Sequence, residues 1–391
     1  MDTIWHITVA QVVTPTIEIA NAALVIEQTR FGAVGASVAI PPPANARRLD
    51  ASRYIAVPGL IDLQFNGGFG HDFTADPESI WRVAQALPRH GVTAFLPTII
   101  TAPLETIQHA QTVLQRGAPE NFRGATPLGL HLEGPFLNPQ KRGAHNVAHM
   151  RLPEINFARD WSPQNRTRLV TLAPELPGAL ALISFLRERG IVVSAGHSMA
   201  TYGEAQRGFD AGITYGTHLF NAMPPLDHRA PGLAAALLND PRVTVGIIPD
   251  GIHVHPALVA LALKQKTPAQ LNIVTDAMAA LGMSPGEYSL GDFQVQVDET
   301  SARLADGRLA GSILNSRDAL VNQMRFTGAS LSDALTTLTT TPARVLHLEN
   351  ERGKIASGYI ADLTLLTPDL RVVATMAHGQ WVWHDADAFA L

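Results

Sequence analysis

The chain has 391 residues, of which 46% are hydrophobic, and its formal net charge at pH 7 is −5. This length can bury a large core, and the negative charge gives no general attraction to nucleic acid or to anionic membranes. Because the chain contains no cysteine, disulfides and thiolate metal sites are excluded, and any metal must be bound by histidine, carboxylate or water. No apolar run is long enough to span a bilayer and the first residues lack a signal-peptide pattern, so we expect no membrane partner and a cytoplasmic protein.

The first 57 residues predict short β-strands. Residues 3–13, 17–27 and 30–39 are β-rich and separated by turn residues, and the prolines at 41–43 interrupt the pattern. The end of the chain is similar, with strand-like stretches at 363–366, 371–375 and 379–383. We therefore predict that residues 1–57 and 346–391 together build one small β domain.

Between these two segments, residues 58–345 predict strands that alternate with helices. The predicted strands are 60–66, 92–98, 127–133, 168–172, 191–196, 213–218, 243–249 and 271–276, and predicted helices include 77–90, 104–115, 178–189, 202–211, 256–264 and 317–326. Such alternation is typical of a parallel sheet in an α/β fold. About eight units over roughly 250 residues predict a closed (β/α)₈ TIM barrel that carries the catalysis, with an open doubly wound sheet as the alternative.

A carboxylate lies at the end of the third predicted strand. Apolar and polar residues alternate in Leu130-His131-Leu132-Glu133, and Gly134-Pro135 then ends the strand. Glu133 is thereby placed at the carboxyl end of a strand. In parallel α/β proteins, this edge of the sheet is where active sites form.

Later strands end in further polar side chains of the kind that hydrolytic metal sites use. His197 follows the fifth strand, His218 the sixth, and Asp276 the eighth. In a barrel, these side chains and Glu133 converge on one mouth. Two histidines and one carboxylate leave a fourth metal position for water, whose pKa falls to about 7, and Asp276 can accept its proton.

Each residue alone also has a simpler interpretation. A Gly-His-Ser sequence at a strand end is often only a loop, and an aspartate such as Asp276 is often a helix N-cap. We expect His131 to be packed inside the barrel. His253 and His255 form a rival His-x-His metal pair, which we rank below substrate binding because the pair lies in a loop and lacks a carboxylate partner.

Seven stretches spread over the predicted barrel support a more specific interpretation. They are residues 58–62, 91–98, 131–136, 143–146, 195–198, 217–223 and 274–277. Among them, Leu-Glu-Gly-Pro-Phe at 132–136 and His-Leu-Phe-Asn-Ala-Met at 218–223 are the most specific. In these motifs and their order, the chain resembles the N-acetylglucosamine-6-phosphate deacetylases of the amidohydrolase superfamily.

This resemblance implies a TIM barrel with a small β-sandwich domain from both termini, and it implies roles for individual residues. Glu133, His197 and His218 would bind the metal, Asp276 would act as the acid and base, and His145 would polarise the acetyl carbonyl. The substrate, a phosphorylated amino sugar, would contact Asn221, Ala222 and His253. In the family, an arginine from the neighbouring subunit reaches this phosphate. The resemblance therefore implies a homodimer in which Arg229 would be that arginine.

One departure from the wider superfamily concerns the number of metal ions. Many amidohydrolases carry His-x-His at the end of the first strand and bind two metals, whereas this chain has Gln64 and Asn66 there. Neutral amides are poor zinc ligands. We therefore expect one divalent ion per subunit, Zn²⁺ in the first place, with Fe²⁺, Co²⁺ or Mn²⁺ as alternatives. Gln64 and Asn66 would orient the metal's water or its protein ligands.

The expected reaction is hydrolysis of the acetamide of N-acetylglucosamine 6-phosphate to acetate and glucosamine 6-phosphate, in amino-sugar catabolism or recycling. Two alternatives stay open. One is the same reaction on N-acetylgalactosamine 6-phosphate, and the other is a non-catalytic amidohydrolase-like binding protein. The presence of Glu133, His197, His218 and Asp276 together argues against the second.

Overall fold

Both ends of the chain contribute strands to one sheet in the computed structural model, which describes residues 4–389. In spatial order the seven strands are Gln380–His384, Val372–Ala377, Leu363–Leu366, Arg47–Pro58, Ile4–Val13, Glu18–Glu27 and Arg30–Ala36. The strand Arg47–Pro58 runs parallel to Ile4–Val13 and antiparallel to Leu363–Leu366, so it joins the two ends. The apolar side chains of these strands form a core of their own.

Two features of this sheet differ from the predicted strands. Thr3, where the first strand was predicted to begin, lies outside the described residues. The strand Arg47–Pro58 was not predicted, because its first seven residues are mostly polar and exposed, and only residues 54–58 are all buried or partly buried. The third strand ends at Ala36, and Ser37–Ala39 form a 3₁₀ turn. Local β-propensity does not report such sheet pairing, which depends on distant partners.

Eight parallel strands form the barrel. In chain order they are Leu60–Phe65, Val92–Ile100, Leu130–Glu133, Thr167–Leu172, Val192–Ala195, Ile213–Gly216, Thr244–Ile247 and Leu271–Ile273. Each strand is hydrogen-bonded to the next. The ring closes where the chain after the last strand pairs with the first, through a parallel bridge between Phe65 and Ala277 and a 2.9 Å bond from the Asp276 N–H to the Gln64 carbonyl. The predicted closed barrel is therefore confirmed, and the open sheet is wrong.

Helices connect the barrel strands or follow the last of them, and they cover the outside of the barrel. They are Ile80–Ala86, Leu104–Gln115, Ile155–Ala158, Ala179–Glu188, Tyr202–Ala211, Gly232–Asn239, Pro256–Gln270, Ser316–Thr327, Leu331–Leu338 and Thr340–Val345. The helix Tyr202–Ala211 begins with a capping box between Thr201 and Glu204. Within residues 4–389, none of the helices is long and apolar enough to cross a membrane.

A small antiparallel sheet follows the last barrel strand and was not predicted. Its strands are Gly286–Leu290, Phe293–Val297 and Ala302–Arg303. Its apolar side chains share a cluster with Ile100, Ala144 and Met278. Two-residue strands also pair at Gly67–Gly68 with His71–Asp72, and Thr126–Pro127 pairs with the second barrel strand. The three-stranded sheet therefore packs at the carboxyl end of the barrel, next to the loop that carries His145.

Candidate active site

Four predicted site residues meet at the carboxyl ends of barrel strands. Glu133 is the last residue of its strand, and His197, His218 and Asp276 lie two or three residues beyond theirs. The backbone of the last three has positive φ, at 49°, 30° and 52°. Residues other than glycine seldom adopt this conformation, and such strained residues are concentrated at functional sites. Here the conformation is found at three side chains that share the barrel mouth.

Glu133, His197 and His218 form a compact donor set. The Oε1 atom of Glu133 lies 3.2 Å from His197 Nε2 and 3.0 Å from His218 Nε2, and the two nitrogens are 3.0 Å apart. Ligands bound to zinc at about 2.0–2.1 Å in a tetrahedron lie roughly 3.3 Å from one another. In residues 4–389 this is the one group of histidine and carboxylate side chains close enough to share a metal ion. The spacing therefore fits a single divalent ion.

The hydrogen bond of His197 fixes which of its nitrogens faces Glu133. Its Nδ1 atom lies 2.8 Å from the carbonyl oxygen of Lys141, which can only accept, so Nδ1 carries the proton. In the neutral ring, Nε2 then presents a lone pair to the Glu133 carboxylate. Two electron pairs at 3.2 Å repel each other unless a cation lies between them. The donor chemistry thus fits a bound metal.

The electrostatics of the same group favour a positive charge beside the Glu133 carboxylate. Burial alone would raise the pKa of Glu133, yet the neighbouring His197 and His218 hold it well below its ordinary value. Burial alone would lower the pKa of His218, yet the hydrogen bond and charge of Glu133 raise it. A buried carboxylate of this kind needs a cation beside it, which either a proton or a metal ion supplies.

Asp276 lies beside the donor set, and within the described residues only one of its two carboxylate oxygens, Oδ1, accepts hydrogen bonds. Its Oδ1 atom accepts hydrogen bonds from Gln64 Nε2 at 3.1 Å and from Asn66 Nδ2 at 2.7 Å. Gln64 also donates to Glu133 Oε1, at 3.1 Å. Burial, with the charge of Glu133 second, raises the pKa of Asp276 to about 6. Gln64 and Asn66 thus act as amide donors to the two carboxylates.

His145 is neutral and has a defined tautomer. The backbone N–H of Thr101 donates to its Nδ1 at 3.2 Å, so the proton is on Nε2. Burial, with the nearby His197 second, lowers the pKa of His145 to about 3. Nε2 lies 3.8 Å from Glu133 Oε2. His145 therefore offers an N–H donor next to the donor set.

These side chains line a cavity of about 310 Å³ that opens at the barrel mouth. Its walls also include Asn221, Ala222 and His253, three of the four predicted substrate contacts. The Nδ1 atom of His253 is 2.6 Å from Asp250 Oδ2. The cavity therefore combines metal donors, a carboxylate and hydrogen-bond donors, as expected of an enzyme site for a small polar molecule.

The comparison with known proteins agrees with this geometry. The model of the amidohydrolase family matches residues 55–382. The chain belongs to the amidohydrolase family. The N-acetylglucosamine-6-phosphate deacetylase of Homo sapiens is 40% identical over 361 residues, with 88% of this chain and 87% of that protein covered. The N-acetylgalactosamine-6-phosphate deacetylase of Escherichia coli O157:H7 is 37% identical over 354 residues, covering 88% of this chain and 92% of that one.

A solved structure supports the fold of this amidohydrolase over its whole length. It is a mutant of the N-acetyl-D-glucosamine-6-phosphate deacetylase from Mycobacterium smegmatis, in complex with N-acetyl-D-glucosamine-6-phosphate. The TM-score is 0.88 at 37% sequence identity, and the alignment covers 97% of this chain and 99% of that chain. The resemblance inferred from the motifs and the predicted fold class are both confirmed.

Three other predicted residues lie apart from the donor set. Arg229, in the loop before the helix Gly232–Asn239, is exposed and is not among the described residues that line the cavity. His131 is buried in the barrel, as predicted, and its Nε2 lies 2.7 Å from Thr171 Oγ1. His255 caps the helix Pro256–Gln270 by accepting a bond from the Ala257 N–H. The rival pair of His253 and His255 does not join the metal-donor group.

The cavity wall also contains residues that the sequence did not indicate. Lys141 and Arg308 are the main ones: the Lys141 ammonium donates to the Met223 carbonyl at 2.9 Å, and Arg308 donates to the carbonyl of Gly143. Arg308 is also paired with Asp306 at 2.6 Å. The loop that carries Arg308 follows the last strand of the small antiparallel sheet and is joined to it by a bridge between Arg303 and Leu309. No local sequence signal marks Arg308 as a residue of the cavity wall.

Proposed function

We propose that this amidohydrolase hydrolyses the acetamide of N-acetylglucosamine 6-phosphate to glucosamine 6-phosphate and acetate, in amino-sugar catabolism or recycling. The observation that carries the proposal is the shared cavity, which holds the Glu133, His197 and His218 donor set beside Asp276 and the N–H of His145. The deacetylase relatives favour a catalyst over a non-catalytic binding protein. We place its action in the cytoplasm.

We further propose that Glu133, His197 and His218 hold one divalent ion per subunit. Zn²⁺ is the first choice for two imidazoles and a carboxylate, and Fe²⁺, Co²⁺ and Mn²⁺ accept the same donors. When bound, such an ion polarises a carbonyl and lowers the pKa of a water molecule to about 7. We assign Gln64 and Asn66 to hydrogen bonding rather than to the metal, because their amide nitrogens donate to Glu133 and Asp276 and neutral amides are poor zinc ligands.

Asp276 is our candidate for the proton carrier. Both amide donors are taken by Oδ1, and Oδ2 makes no hydrogen bond among residues 4–389. Oδ2 is therefore the atom that takes a proton from the attacking water and passes it to the leaving amine. His145 donates from Nε2 to the acetyl carbonyl oxygen and supports the negative charge that develops there.

The phosphate contacts are proposed to come from two chains. Asn221, Ala222 and His253 line the cavity of one subunit. Arg229 is exposed and away from its own cavity, which is the arrangement needed to reach the active site of a neighbour in a homodimer. Arginine suits this role because its planar donor groups match phosphate oxygens.

The test is an acetate-release assay on the purified, metal-loaded protein. The substrates to compare are N-acetylglucosamine 6-phosphate, N-acetylgalactosamine 6-phosphate and unphosphorylated N-acetylglucosamine. The highest kcat/KM is expected for the first. The Escherichia coli O157:H7 relative makes the galacto sugar the second candidate, and a higher kcat/KM on it would assign that activity instead. Metal binding without acetate release from any of the three would contradict an enzyme of this class.

A further inference from the structure

Glu175 lies behind the metal donors and touches two loops that lead into the site. It follows the fourth barrel strand, Thr167–Leu172, by three residues. It does not line the active-site cavity within the described residues. Its two carboxylate oxygens nevertheless accept three hydrogen bonds from residues next to His197 and from the loop that ends at His145.

Two of these bonds hold the turn that carries His197. Glu175 Oε2 accepts from the Ser198 hydroxyl at 2.7 Å, and Oε1 accepts from the Met199 N–H at 2.6 Å. The Ser198 oxygen in turn accepts from the Ala200 N–H at 2.9 Å. His197 has a φ of 49°. A residue other than glycine keeps such a conformation only when surrounding contacts determine it, and Glu175 supplies them on the side away from the cavity.

The third bond links this turn to the loop that begins at Asn138. The Asn138 side-chain amide donates to Glu175 Oε1 at 3.0 Å. From that loop, the Asn138 N–H donates to the His197 carbonyl at 2.9 Å, and the Lys141 carbonyl accepts from the His197 ring at 2.8 Å. His197 is therefore held from its own turn and from this loop, and Glu175 is bonded to both.

The chemistry of Glu175 suits a purely orienting role. No lysine, arginine or histidine nitrogen within residues 4–389 forms an ion pair with it. Its charge is satisfied by neutral hydroxyl, amide and backbone donors, and hydrogen bonds to a carboxylate are stronger than those to a neutral acceptor. Only an acceptor with two free oxygens can serve all three donors at once.

We propose that Glu175 is a positioning residue for the metal site, which sets the orientation of the ligand His197 through Ser198, Met199 and Asn138. This inference rests on the proposed metal site. Residues that orient metal ligands typically contribute about 10–100-fold to metal affinity. Glu175→Gln keeps the length of the side chain but replaces one acceptor oxygen by an amide nitrogen, which donates. One of the three donors then faces an amide N–H and loses its hydrogen bond.

The experiment measures the dissociation constant of Zn²⁺ by competition with a chromophoric chelator. For Glu175→Gln, we expect this constant to rise about 10–100-fold, while the melting temperature of the metal-free protein stays near that of the wild type. The control is Glu188→Gln, an exposed carboxylate at the end of the helix Ala179–Glu188, for which neither quantity changes. In the double variant Ser198→Ala and Glu175→Gln, the loss of Zn²⁺ binding free energy is expected to be smaller than the sum of the losses in the two single variants.

The outcomes separate this inference from the proposed function. If the wild type binds no Zn²⁺, the metal site itself is wrong. If the wild type binds Zn²⁺ and Glu175→Gln binds it equally well, Glu175 does not position His197. A lower melting temperature of the metal-free variant with an unchanged dissociation constant would show a general structural role and would also overturn the inference.

Discussion

The carboxylate of Asp62, on the first barrel strand, accepts a 2.6 Å hydrogen bond from the hydroxyl of Thr275, which follows the last strand. The Thr275 N–H points to the same carboxylate, at 3.3 Å from Oδ2. These bonds lie beside the bridge that closes the ring. Asp62 is fully buried, so the closure of the barrel brings a titratable group into its interior.

Asp62 is expected to make the stability depend on pH. Burial raises its pKa from 3.8 to about 7. The folded state then keeps a proton that the unfolded chain releases, so this contribution to stability is fully present below pH 3.8 and is lost as the pH rises to about 7. A shift of about three units corresponds to roughly 4 kcal/mol. Because Asp62→Asn cannot titrate, the wild type should lose several degrees of melting temperature relative to this variant between pH 5 and pH 7.5.

The measurement is a thermal melt of the metal-free protein at both pH values. Asp160→Asn is the matched control, since the side chain of Asp160 is 70% exposed, and it should follow the wild type at both pH values. Parallel pH profiles for the wild type and Asp62→Asn would show that the buried carboxyl has an ordinary pKa.

The number of metal ions per chain tests the donor set. We expect about one tightly bound divalent ion, and its loss in His197→Ala or His218→Ala, because removing one of three protein ligands leaves an incomplete site. Elemental analysis after exhaustive dialysis gives the number directly. His255→Ala serves as the control and should keep its ion, since His255 only caps a helix. Two tightly bound ions, with His253 or His255 among the ligands, would contradict the single-metal site.

Asp276→Asn tests the proton carrier. The substitution keeps the size of the side chain and removes its ability to take up a proton. We expect the metal to be retained and turnover to fall by about 10²–10⁴-fold, the usual contribution of general acid–base catalysis. Acetate release and metal content are measured on the same sample. Turnover within about threefold of the wild type would assign the proton transfer to another group.

Arg229→Ala tests whether the active site is shared between subunits. A charge-assisted hydrogen bond to phosphate is worth about 1.5–3 kcal/mol, so KM for the phosphorylated sugar should rise roughly 10–100-fold. The activity on unphosphorylated N-acetylglucosamine should change little, because that substrate has no phosphate to bind.

Mixed dimers then identify the chain that supplies the arginine. In a dimer of one Arg229→Ala chain and one Asp276→Asn chain, the only active site with an intact Asp276 receives Arg229 from its partner. Its KM is expected to be near that of the wild type. A raised KM in this mixture would mean that Arg229 acts within its own chain.

The barrel could be predicted because its signals are local. Strands such as Val92–Ile100 are mostly apolar and buried on both faces, and glycine or proline residues lie near their ends. The strand Arg47–Pro58 was missed, because its pairing partners are distant in sequence. The pairing of Arg47–Pro58 with Leu363–Leu366, for example, crosses about 300 residues. The small antiparallel sheet was also missed, although its strands Gly286–Leu290 and Phe293–Val297 pair locally as a hairpin.

The sequence by itself determined the alternation of strands and helices, the absence of thiolate ligands, and the positions of Glu133, His197, His218 and Asp276 at strand ends. Short-range periodicity and turn residues are sufficient for these, since each depends on a few neighbouring residues. The tertiary structure alone decided that the donor atoms of Glu133, His197 and His218 lie within 3.2 Å of one another, which nitrogen of His197 carries the proton, and that Glu175 bonds to two loops. These relationships join residues from different strands and loops, and they exist only once the ring of strands has closed.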